Sequence, residues 1–168
     1  MKRLFLVAMM CIVLVSLLAA PAVMAAAAGK SIQGQVTLVQ KYSDTDWSIV
    51  PGGAWGKFNY ALEGTMISGV FNGHGLVAGT DYTLVAYTED WPNDIVLSTG
   101  TVNADGDIHI AVAPKDIGEP YTYPTPDSDE YAGETGYKIW LVPGLFGTLD
   151  WPFPPNWLFE TSLVVPIP

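Results

Sequence analysis

Trp55-Gly56-Lys57-Phe58-Asn59-Tyr60-Ala61-Leu62 sets the reading of this chain. Gly56, Phe58, Tyr60 and Leu62 fall on one side of an extended backbone, and Trp55, Lys57 and Asn59 on the other. Side chains alternate across a strand with period two, so the stretch predicts a β-strand with one buried and one wet face. Residues 82–88 carry the same chemistry without the alternation. Tyr82, Leu84 and Ala86 are opposed by Val85 and Tyr87, which predicts a strand with neighbours on both sides and both faces covered.

Working outward, residues 32–40, 47–50, 65–71, 95–103, 107–113, 137–142 and 157–165 also read as strands, rich in Val, Ile, Thr, Tyr, Phe and Trp. Ala104-Asp105-Gly106 lies between two of them, a turn signal that predicts a tight hairpin. In the second of these strands Ile108, Ile110 and Val112 share one face and His109 the other. Every one of the 17 glycines and all but one of the 13 prolines lie from Gly29 onward. Helices of ordinary length, about 11 residues, have almost no room there. Residues 117–136 form a long acidic, Pro-rich loop with Glu119, Asp127, Asp129, Glu130 and Glu134 but no base. The expectation is all-β: one antiparallel β-sandwich of about nine strands, immunoglobulin-like or jelly-roll-like. An aromatic content of 12% suits a core of large rings.

The first segment has a different character. Lys2 and Arg3 precede an apolar run that ends near Ala22-Val23-Met24-Ala25, which reads as a secretory signal peptide over residues 1–25. The run approaches the length of a spanning helix, but Pro21 and the small residues around Ala25 favour cleavage. The domain is then residues 26–168. Losing Lys2 and Arg3 takes the formal charge from −10 to −12. The only arginine and the only cysteine, Cys11, go with the leader. These losses exclude a disulfide scaffold, a Cys-ligated metal and a thiol nucleophile. Nucleic acid is excluded as a partner because phosphate binding needs clustered Lys and Arg. No later run is apolar enough for a second membrane segment, so the mature form is expected outside the cell and free of the membrane.

Few residue patterns suggest chemistry. Asn103-Ala104-Asp105-Gly106-Asp107 has the middle of a calcium loop, but Thr101 and Val112 stand where that site needs an Asp and a bidentate Glu. The tight turn explains the same residues. Asp127, Asp129 and Glu130 are the better Ca²⁺ candidate, three carboxylates within one acidic run. Gly73-His74-Gly75 with Gly79 lacks the helix that a phosphate loop feeds, and reads as a wide turn. His74 and His109 show no metal-ligand spacing, and the ordinary reading is a packed or solvated side chain. Ser68 lacks a nucleophile elbow. Two Asp-Trp-Pro turns place Trp91 and Trp151 at loop starts, with Trp157 close behind the second. These three rings are the candidate ligand-binding residues, for stacking on sugars; the competing reading is that they plug the ends of the sandwich.

The runs Trp55 to Tyr60, Val70 to Leu76, Gly79 to Leu84, Gly100 to Gly106 and Lys138 to Val142 together resemble uncharacterised small secreted β-sandwich proteins of methanogenic archaea. The resemblance extends from Trp55 to Phe159. It implies fold and compartment, and no activity. The functional expectation is a non-enzymatic extracellular or cell-surface domain that binds a glycan or an envelope protein. Alternatives are a structural subunit of a surface layer or filament, adding strand 32–40 to a neighbour's sheet edge, and a carbohydrate-binding module. A small hydrolase ranks last.

Overall fold

The computed structural model describes residues 31–42, 47–87, 94–124, 131–144 and 157–164. Ten strands occur among them: β1 (Ile32–Gln40), β2 (Trp55–Glu63), β3 (Met66–His74), β4 (Asp81–Tyr87), β5 (Ile95–Thr101), β6 (Ile108–Asp116), β7 (Tyr121–Thr122), β8 (Thr135–Gly136), β9 (Lys138–Pro143) and β10 (Leu158–Glu160). No helix is present among the described residues. Eight strands make one antiparallel sheet in the order β5-β4-β9-β10-β1-β2-β3-β6. β7 and β8 form a separate two-stranded ribbon.

The expected pair of stacked sheets is therefore replaced by one sheet that rolls up. Its core shows this directly. A single buried cluster takes Val36 and Leu38 from β1, Phe58 from β2, Phe71 from β3, Leu84 from β4, Leu97 from β5, Ile110 from β6, Leu141 from β9 and Leu158 from β10. All eight strands thus point one face at the same interior, as in a barrel. The roll brings the two edges together. Gly100 on β5 sits so close to β6 that a Cβ there would lie 2.9 Å from Ile110 Cγ1 and 3.3 Å from Ile108 Cδ1. The edges meet through side chains, since β5 pairs only with β4 and β6 only with β3. The three-residue β10 joins the halves, pairing with β1 on one side and β9 on the other.

The alternation in β2 holds as read, with Phe58 and Leu62 fully buried and Trp55, Lys57 and Asn59 exposed. β4 is buried on both faces, as its unbroken apolar run predicts. The 103–107 turn forms too. Gly106 has φ 83, and Asn103 Oδ1 accepts hydrogen bonds from the Asp105 and Asp107 amides at 2.9 Å each. The hairpin ladder that should follow does not, because β6 pairs with β3 and β5 with β4. Turn chemistry fixes the reversal of the chain but leaves partner choice to burial.

Three other expectations change. Residues 47–50 contribute one isolated bridge, Lys41 to Ile49, rather than a strand. Only Leu158–Glu160 of the expected last strand is a strand among the described residues. The acidic loop is partly ordered by the β7–β8 ribbon, whose Thr122 and Thr135 hydroxyls lie 2.8 Å apart. Tyr123 and Tyr131 pack there against Leu163.

Candidate functional site

The outside of the rolled sheet has two unlike halves. Over β4, β9 and β10 it is apolar: Val85, Trp140, Val142, Trp157 and Phe159 form a second buried cluster. Tyr87 stacks on Trp140 at 3.9 Å. Trp47, held at φ 59, presses its edge on Phe159 at 5.1 Å. A bulky residue in the left-handed region is strained, so this contact carries a conformational cost. Beside the cluster the buried Lys138 ammonium sits 4.4 Å from the centre of the Tyr123 ring, with Tyr87 and Tyr131 farther out. Its cation–π contacts replace part of the lost hydration.

Over β1, β2, β3 and β6 the outer surface is open and polar. The register lines its residues into rows across the strands. Thr37, Lys57, Asn72 and His109 make one row, and Gln35, Asn59, Val70 and Ala111 the next. Val39, Trp55 and His74 make a third. Alternation explains why: each strand spends its other face on the core.

Hydrogen bonds tie these side chains in pairs. Gln35 Nε2 donates to Asn59 Oδ1 at 2.7 Å. His109 Nδ1 donates to Asn72 Oδ1 at 2.8 Å, and His74 Nδ1 to Asp107 Oδ1 at 2.8 Å. The Trp55 ring leans on the His74 ring at 4.9 Å and 42°, yet the residue remains 43% exposed. Locally, Gln40 Oε1 accepts from the Ala54 amide at 3.1 Å and pins the entry to β2. Gly75, at φ 73, ends β3 immediately after His74.

His74 and Asp107 have the form of half a catalytic triad, but both are about half exposed. No serine or threonine hydroxyl is hydrogen-bonded to His74 among the described residues. An exposed pair of this kind contributes about 0–1 kcal/mol and mainly fixes the ring. Asn103 and Asp107, which suggested the middle of a calcium loop, serve the turn and His74 instead. Among the described residues no three His, Cys, Asp or Glu side chains gather closely enough to hold a metal.

Of the candidate rings read from the sequence, Trp157 is 1% exposed inside the outer apolar cluster and offers no open face. Trp91 and Trp151 lie outside the described residues, as do Asp127, Asp129 and Glu130. Among the described residues, the ring that stands open on the polar outer face is Trp55. The signal for it lies in the sequence: a tryptophan on the wet side of an alternating strand has no core to serve. Its neighbours Asn72, His74 and His109 become visible only through cross-strand register.

No protein-family model, curated protein or solved structure matches this chain.

Proposed function

We propose that the protein is a non-enzymatic extracellular or cell-surface domain, and that its ligand lies on the open face of β1, β2, β3 and β6. One observation carries this: Trp55 is 43% exposed amid pre-paired polar side chains, while Trp140, Trp157 and Phe159 on the opposite half of the sheet are buried. A tryptophan left in water keeps a large apolar face with a polar N–H that a partner can cover. The basic-then-apolar leader and the resemblance to small secreted archaeal proteins support the compartment.

The filament alternative has less behind it. β1, the strand that would be donated, pairs within its own chain to β2 on one side and β10 on the other. The β10 pairing occupies Leu38–Gln40 only, so donation of that part of β1 to a neighbour's sheet would break pairing within its own.

The test is sedimentation of the purified full chain with envelope fractions, wild type against Trp55→Ala and Lys57→Ala. Co-sedimentation that Trp55→Ala weakens supports the reading; co-sedimentation indifferent to both changes removes it.

A further inference from the structure

The chemistry of the open face narrows the ligand class. Each paired side chain has used one polar atom and kept the other. Gln35 Nε2 donates to Asn59 Oδ1, leaving the Gln35 carbonyl and the Asn59 NH2 group. Asn72 Oδ1 accepts from His109, leaving the Asn72 NH2 group. Both histidines donate from Nδ1, so Nε2 of each ring is the atom left for a ligand. Thr37 adds a hydroxyl and Lys57 an ammonium in the same row. Donors and acceptors are thus interleaved on the outer surface of four adjacent strands, about 14 Å measured along the sheet at ordinary strand spacing. At one end stands the exposed indole.

Few ligands match that pattern. An anionic polymer wants clustered cations, yet Lys57 is the one lysine in these rows and the chain carries a formal charge of −10. An extended peptide would seek an unpaired strand edge, whereas these groups lie on the face. A hydroxyl donates and accepts at once, so a polyol fits an interleaved surface. The C–H face of a pyranose ring fits an indole.

We infer that this face binds a neutral polysaccharide, with one pyranose ring stacked on Trp55 and the following rings hydrogen-bonded along Lys57, Asn72, His109, Asn59 and Gln35. The inference rests on the face-binding reading and adds the ligand class to it.

The experiment is affinity electrophoresis of the full chain through gels containing soluble neutral polysaccharides (a β-glucan, a mannan, a galactan) or acidic ones (alginate, polygalacturonate). Retardation by at least one neutral polymer and by no acidic one is expected. Trp55→Ala should weaken it roughly tenfold or more, and Trp55→Phe should retain part of it. Asn72→Ala should weaken it roughly threefold to tenfold through lost hydrogen bonds. Trp55 is exposed, so thermal melting of its variants reports whether folding is intact. Failure of every neutral polymer, equal retardation by acidic ones, or wild-type binding by Trp55→Ala overturns the inference. A second arm separates the two levels. Envelope binding that needs Trp55 but survives periodate oxidation of the envelope glycans leaves the face and removes the sugar. Envelope binding indifferent to Trp55 removes both.

Discussion

Gly100 is the point where the rolled sheet meets itself, and a leucine there tests that closure. In an ordinary strand, replacing glycine stabilises by roughly 0.5–1 kcal/mol, because glycine loses the most backbone freedom on folding. Here the new Cβ would lie 2.9 Å from Ile110 Cγ1 and 3.3 Å from Ile108 Cδ1, with the rest of the side chain driven between them. Overpacking of that kind costs about 1–3 kcal/mol. Gly100→Leu should therefore destabilise by a net of roughly 1–2 kcal/mol. Ile110→Ala, at a residue 1% exposed, should cost about 2–5 kcal/mol by leaving a void. Combined, the leucine fills the space the isoleucine left, so the pair should be less damaging than the sum by about 1–2 kcal/mol. Urea unfolding followed by tryptophan fluorescence measures all four corners of the cycle. Strict additivity, or a Gly100→Leu protein as stable as wild type, would mean that β5 and β6 do not touch and the sheet is open.

Other outcomes follow from particular contacts. Tyr137 donates its hydroxyl to the Gly118 carbonyl at 2.8 Å, and burial, then the negative charges of Glu119 and Asp116, push its pKa up to about 12. An unfolded tyrosine ionises near 10. The protonated ring therefore supports the fold fully below pH 10, and that support is lost as pH rises from 10 through 12. Tyr137→Phe should flatten part of the alkaline fall in stability. Tyr60 and Tyr82, also raised by burial, should keep the rest. An equally steep fall in both proteins counts against the assignment. Asn103→Ala removes the acceptor of two turn amides and should cost about 1–2 kcal/mol in urea unfolding, whereas Asn103→Asp, which keeps the acceptor, should cost less.

Much of the fold was legible because burial writes itself into period. The alternation of Phe58 with Asn59, and of Ile108 with His109, marked which side faced the core. The unbroken run at Tyr82 to Tyr87 marked a strand covered on both faces. Which strands pair was not legible. Asp105-Gly106 fixed a reversal, yet β5 and β6 left the turn for different partners. Strand pattern likewise cannot separate two facing sheets from one rolled sheet, since both need the same inward faces.

The candidate site divides in the same way. Trp55 was readable as a ring on the polar face, whereas Trp157, read as a stacking candidate against the competing reading of a plugging ring, is 1% exposed among Trp140 and Phe159. The polar partners of Trp55 come from strands far apart in sequence, Gln35 from β1 and His109 from β6, and only register brings them to one surface.

The most direct measurement uses two equally open tryptophans. Trp47 and Trp55 are each 43% exposed, one beside the outer apolar cluster and the other on the polar face. Photo-oxidation of the full chain with and without envelope fractions, read by mass spectrometry of each indole, compares them within one molecule. Protection of Trp55 with Trp47 oxidised as before is the expected result. Protection of Trp47 alone, or of neither, contradicts it.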